Sequence, residues 1–327
     1  MSSPTIRHIL ATLMALGASS TVAMAAPMAG SCAVFPADNI WNTPVDSLPV
    51  DPKSADYVSS IGGSETLKAD FGSGEYEGST IGIPYVTVPA NQPDVPIVFA
   101  GFGNEPEPYT DESDAGPFPI PADAPVEGGL KSEGDRHVIV VQEGTCILFE
   151  LYKAVPNADG SWNAVGSARF DLKSNDLRTE GWTSTDAAGL PIFPGLVRYD
   201  EIKTGEITHA LRFTAPRTRQ EFVWPARHYA SSDDDPALPP MGQRFRLKAS
   251  VDITRFSRTN QVILRALQVY GMILADNGSA WFISGAPDKR WSNDQLQSEL
   301  PRLTGDDFEA VDATVFLQDN SSGVAGK

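Results

Sequence analysis

The feature that most limits this chain is how often its apolar periodicity is interrupted. Runs in which apolar and polar residues alternate are short, and Gly, Pro, Asn and Asp stand between them. The cleanest is Arg244-Phe-Arg-Leu-Lys-Ala-Ser-Val-Asp-Ile253, with Phe245, Leu247, Ala249, Val251 and Ile253 on one face and polar residues on the other. Strand side chains alternate between faces, so the run predicts a half-buried antiparallel strand. Residues 137–141 and 146–154, joined by Glu143-Gly144-Thr145, predict a hairpin. Further strands are expected at 81–88, 95–100, 205–214, 221–224 and 280–284. Residues 260–275 read instead as a helix, almost wholly apolar apart from a stripe of Gln261, Arg265 and Gln268, and therefore buried. A shorter helix is expected at 292–300, capped by Ser292. The fold class that follows is mainly β, an antiparallel sandwich or jelly-roll-like arrangement with one buried helix packed near the C-terminus.

Residues 1–25 read as a secretory signal peptide. Arg7 and His8 precede an apolar run from Ile9 to Leu16, and Ala23-Met24-Ala25 is an A-x-A cleavage pattern. Residues 26–327 are then expected to form one β-rich domain with its core at about 33–315, secreted, monomeric and free of the membrane once the signal is removed. Only two cysteines are present, Cys32 and Cys146, and in an exported chain an even pair predicts a disulfide. The net charge of −17 repels phosphate backbones, so nucleic acid is not an expected partner. The same charge disfavours a strongly anionic polymer as substrate. No G-x-S-x-G elbow, P-loop or G-x-G-x-x-G junction is present.

Abundant carboxylates and aromatic residues near strand ends point to a polysaccharide or oligosaccharide. Glu150, set in an apolar strand in phase with Leu148 and Tyr152, is the expected general acid, because desolvation raises a carboxyl pKa. Asp200 or Glu201 is the expected base or nucleophile, with Asp186 as another possible partner, and His209 assists. Trp182, Tyr152, Arg212, Trp224 and His228 are the expected substrate-binding residues, their flat faces suited to sugar rings. His137, His209 and His228 could converge on a transition metal, although no H-x-H or H-E-x-x-H spacing supports it. Ser231-Ser-Asp-Asp-Asp-Pro236 offers hard oxygen ligands for calcium without the spacing of a defined calcium loop. Otherwise no cofactor is expected. The acidic, proline-rich stretch 104–133 is a long loop, read either as a solvated excursion or as a wall over a cleft.

The stretch from Ala187-Ala-Gly-Leu-Pro-Ile-Phe-Pro-Gly-Leu-Val-Arg-Tyr-Asp-Glu201 to Ile207-Thr-His-Ala-Leu211 resembles an uncharacterised family of exported bacterial proteins. The likeness extends to Asn39-Ile-Trp-Asn-Thr43 and Tyr270-Gly-Met-Ile-Leu-Ala-Asp-Asn-Gly278. It implies a single family domain and carries no activity or site residues. The residues themselves favour a secreted glycoside hydrolase acting on a neutral glycan through paired carboxylates, with a lyase second. A non-catalytic carbohydrate-binding or surface protein and a histidine-ligated metal enzyme are the alternatives.

Overall fold

A computed structural model describes residues 26–76 and 78–326, and the signal-peptide reading of 1–25 falls outside them. The fold is mainly β, with 26% strand against 18% helix, as the alternating runs predict. The strands of its two larger sheets are β1 (Lys68–Asp70), β2 (Tyr85–Val88), β3 (Val138–Gln142), β4 (Ile147–Tyr152), β5 (Gly166–Asp171), β6 (Leu211–Ala215), β7 (Arg244–Leu247), β8 (Met272–Asn277), β9 (Phe282–Ser284) and β10 (Phe308–Val311). One sheet is ordered β5-β4-β3-β2 and the other β10-β7-β8-β6-β9-β1. Pairing is mixed rather than wholly antiparallel, because β2 with β3, β6 with β8 and β1 with β9 run parallel. The helices are α1 (Ser54–Ile61), α2 (Tyr199–Thr204), α3 (Arg258–Val269) and α4 (Asn293–Glu299).

The four-stranded sheet is buried on both faces. Ile139, Val141 and Leu148 join the main core, which also takes Phe213, Phe245, Leu267 and Trp281. Val138, Val140, Phe149 and Leu151, on the opposite face, pack with Phe118, Ile120, Ala124 and Val126. Those four come from the acidic loop, so 104–133 covers a sheet face as well as bordering a cavity described below. The predicted hairpin is β3 and β4, with Val140 opposite Phe149. The disulfide is present between Cys32 and Cys146, its Cα atoms 5.4 Å apart.

Three expectations need correction. The alternating run from Arg244 is a strand only to Leu247. β10 begins at Phe308 opposite Leu247, and β8 pairs only with Arg244 and Phe245; Lys248 N still donates to the Asp307 carbonyl, and the chain then turns, with Val251 N donating back to the Lys248 carbonyl. Residues 260–275 hold a helix, a turn and a strand. The helix α3 packs against β7 and ends at Val269 with Tyr270 as its C-cap, and Gly271 turns the chain at φ +66° into β8. A Cβ on Gly271 would sit 2.1 Å from the Phe245 carbonyl oxygen, so only glycine fits. Met272, Ile273 and Leu274 are apolar because they lie in a buried central strand, not because they continue the helix. Residues 221–224 form no strand, only a bridge from Phe222 to Met241, and 205–210 precede β6 rather than belonging to it.

Candidate active site

A cavity of about 430 Å³ opens where the hairpin's free ends meet β8 and the acidic loop. His137 enters β3 and Tyr152 closes β4, so both reach it. Glu105, Tyr109 and Glu112 come from the loop, Thr183 to Ala187 from a turn, and Asp135, His228 and Asp276 complete its acidic and basic lining. Tyr109 and Tyr152 lie parallel with ring centroids 6.2 Å apart, and a Glu105 carboxylate accepts the Tyr109 hydroxyl at 2.8 Å. Burial and that carboxylate push the Tyr109 phenol up to about 12, so it stays protonated.

Asp276 is delivered by an irregularity. Phe213 pairs with Leu274 but Thr214 pairs with Asp276, which leaves Ala275 as an extra residue in β8. Paired side chains share a face, so this bulge turns Asp276 onto the side of Arg212 and Thr214. Arg212 donates from Nε and Nη2 to the two Asp186 oxygens at 2.6 and 2.7 Å, from Nη1 to Ser284 Oγ at 2.6 Å, and from Nη2 to Asp276 Oδ2 at 3.1 Å. Burial and the charge of Asp186 push the Asp276 carboxyl up to about 7, against the pull of Arg212 and the Asn277 N–H. Asp276 keeps 29% side-chain exposure, whereas Asp186 has none. One carboxylate anchors the guanidinium, and the other is left to gain and lose a proton at the cavity wall.

The two histidines of the cavity differ. His137 Nδ1 meets Glu127 Oε2 at 2.6 Å and Nε2 meets the Thr185 carbonyl at 2.9 Å. A carbonyl only accepts, so His137 donates from both nitrogens. Burial opposes its charge, but Glu127 wins and holds the imidazolium up to about 9. His228 donates from Nδ1 to the Ala187 carbonyl at 2.9 Å.

No protein-family model, curated protein or solved structure matches this chain. The chemistry of the cavity therefore rests on its own residues.

Of the expected catalytic residues Asp186 lines this cavity, and the structure places Glu150, Asp200, Glu201 and His209 elsewhere. Glu150 is fully buried behind the cavity wall, accepting from Thr185 Oγ1 at 2.8 Å, Ile192 N at 3.0 Å and Phe193 N at 2.9 Å. Burial raises its carboxyl, as its apolar strand predicts, but the same burial closes it off from a polymer. Glu201 and His209 form a separate buried cluster with Arg198. His209 Nε2 lies 3.1 Å from Glu201 and 3.2 Å from Arg198 Nη2, while its Nδ1 donates to the Ala210 carbonyl. Burial alone would raise the Glu201 carboxyl, yet Arg198 and His209 hold it below the usual range. Asp200 is exposed and bound to Arg290.

Of the expected binding residues, Tyr152 and His228 line the cavity, and Arg212 stands behind Asp186. Trp182 is half-buried under the Arg178 guanidinium, outside the lining, and Trp224 is buried with Nε1 donating to Ser322. His137 and His228 share the cavity and His209 does not, so the three histidines do not converge. Among the described residues no group of three His, Cys, Asp or Glu side chains could hold a metal ion. In the 231–236 loop, Asp233 binds Arg217 and accepts from Asp235 N, and Asp235 accepts from Ala237 N. These carboxylates shape turns.

Asp276, Asp135 and Tyr109 are the residues that sequence reasoning passes over. The signal for Asp276 is a carboxylate closing an apolar run directly after a Tyr-Gly turn, legible once that run is taken as a strand. Replacing Arg212 by Met strands the fully buried Asp186 charge and is expected to cost about 3–5 kcal/mol. The urea midpoint should fall with little change in slope. The Asp186→Asn/Arg212→Met double variant should recover part of the loss, because no unpaired charge then remains at Asp186.

Proposed function

We propose that this chain is an exported glycoside hydrolase whose active site is the cavity between Tyr152 and Asp276. The observation that carries the reading is a pair of carboxyl groups in opposed environments on one cavity. Asp276, 29% exposed and packed against Asp186 and Arg212, protonates near neutrality, while Asp135 is 55% exposed beside Lys153. Glycoside hydrolysis needs such a division, one carboxyl to donate a proton and one carboxylate to assist attack. In this scheme Asp276 protonates the departing glycosidic oxygen as the C–O bond breaks. Water adds to the sugar carbon and gives its proton to Asp135. The parallel Tyr109 and Tyr152 rings offer apolar faces beside polar edges for a sugar ring. The acidic lining favours a substrate without carboxylates or sulfates. The Cys32–Cys146 bridge fits an oxidising destination outside the cytoplasm, and no helix among the described residues is long and apolar enough to cross a membrane.

The test is product mass spectrometry after incubation with neutral and acidic polysaccharides. Fragments carrying one added water per cut, absent with Asp276→Asn and Asp135→Asn, are the expected result. Unsaturated fragments lacking that water, or no fragments from any glycan, would overturn it. Retention of glycan without cleavage would leave a binding protein.

A further inference from the structure

Three ionisable side chains beside the proposed active site take no part in the scheme above: Glu127, His137 and Glu150. His137 leads directly into β3, so its ring is carried by the four-stranded sheet. Glu127, from the acidic loop, grips it three times. Glu127 N donates to the His137 carbonyl at 3.0 Å, His137 N donates to Glu127 Oε2 at 3.3 Å, and Nδ1 donates to the same oxygen at 2.6 Å. The far ring nitrogen, Nε2, donates to the Thr185 carbonyl at 2.9 Å. Both nitrogens thus carry a proton committed to a fixed acceptor. His137 lines the cavity but has no lone pair with which to take a proton from a substrate or a water. What it can do is hold.

What it holds is the turn that carries Asp186. Thr185 is gripped from two sides, because its Oγ1 donates to Glu150 Oε2 at 2.8 Å while its carbonyl accepts from His137. Glu150 is in turn fixed by the backbone N–H groups of Ile192 and Phe193. Asp186 follows directly in the chain and is buried. Its two oxygens bind Arg212, whose Nη2 reaches Asp276 at 3.1 Å. A buried carbonyl without a donor is costly, so the turn would shift if the His137 bond were lost.

We propose that His137 is a positioning residue: clamped by Glu127, it anchors the Thr185 carbonyl and thereby fixes Asp186 and Arg212 against Asp276. The role rests on the glycoside hydrolase reading for its effect on rate, while its geometry can be tested without a substrate. Asp186 and Asp135 raise the Asp276 carboxyl, and Arg212 and the Asn277 N–H lower it. If the turn drifts, the Asp186 charge leaves but Arg212, carried on β6, stays. The Asp276 carboxyl should then titrate lower.

Two substitutions separate the clamp from the charge, since both remove the imidazolium. His137→Gln can place its amide N–H where Nε2 stands and keep the bond to Thr185. His137→Asn can place one where Nδ1 stands and keep only the bond to Glu127. Followed by carboxyl-carbon NMR, Asp276 should titrate about one pH unit lower in His137→Asn, and near its wild-type position of about 7 in His137→Gln. On a cleaved glycan, kcat should fall about 10- to 100-fold in His137→Asn with KM changed much less, and His137→Gln should recover most of the loss. In the wild type, where no variant has to fold, ring-nitrogen NMR at pH 7 should find both His137 nitrogens protonated, because Glu127 holds the imidazolium up to about 9. An Asp276 titration that is the same in both variants, or an Nε2 without its proton, would overturn the positioning role. The expected titrations with no glycan cleaved would instead overturn the glycoside hydrolase reading and leave the clamp standing.

Discussion

Asp276→Asn is expected to lower kcat on a cleaved glycan by about 100-fold or more, the scale of a lost general acid. Asparagine keeps the size of the side chain and can still accept from Arg212, but it has no proton to give. The pH profile separates this from a packing defect. A general acid works only while protonated, and Asp276 is pushed up to about 7 by burial and by Asp186. Wild-type kcat should therefore fall as pH rises through about 7, whereas the residual activity of Asp276→Asn should lose that limb. Arg212 lowers the same carboxyl, so Arg212→Met should move the limb to higher pH wherever the variant remains folded. A limb unchanged in both variants would assign it to another group. Substrates with activated leaving groups, which need little protonation, should rescue Asp276→Asn, and no such rescue is expected for Asp135→Asn.

The parts of this molecule that could be read in its sequence are those where one residue pattern has one physical outcome. The β3–β4 hairpin, the Ser292 cap of α4 and the disulfide each follow from local chemistry: alternation about a Gly turn, a side-chain oxygen accepting from Gln295 N, and a lone pair of cysteines. The run from 260 to 275 was ambiguous for a physical reason. A buried helix and a buried parallel strand are both continuously apolar, and only Gly271 marks the change between them. That ambiguity hid Asp276, whose place at the cavity depends on the bulge at Ala275, a tertiary pairing with no local signature. Glu150 shows the converse. Its apolar neighbours predict a raised carboxyl, which is present, but periodicity does not distinguish a desolvated acid facing a cleft from one closing a turn. The backbone N–H groups of Ile192 and Phe193 decide that. Glu201 and His209 likewise meet as expected of near neighbours, but across Arg198 and inside the protein.

Removing the disulfide is expected to separate stability from the site. Cys32 and Cys146 close a loop across a sequence separation of 114, for which the chain-entropy model gives roughly 4–5 kcal/mol. Cys32→Ala/Cys146→Ala, or reduction of the wild type, should lower the thermal midpoint by about 10 °C or more. The effect reaches past the bridge, because the segment that Cys32 anchors leads into Ile40 and Trp41, both buried in the main core. The proposed active-site cavity should be spared. Cys146 lies at the turn of the hairpin, whereas His137 and Tyr152 stand at its open end, one strand length away. Below the new midpoint, kcat and KM of the bridge-free variant should match those of the wild type. A loss of activity at temperatures where it is still folded would show that the bridge orders the open end of the hairpin as well as its turn.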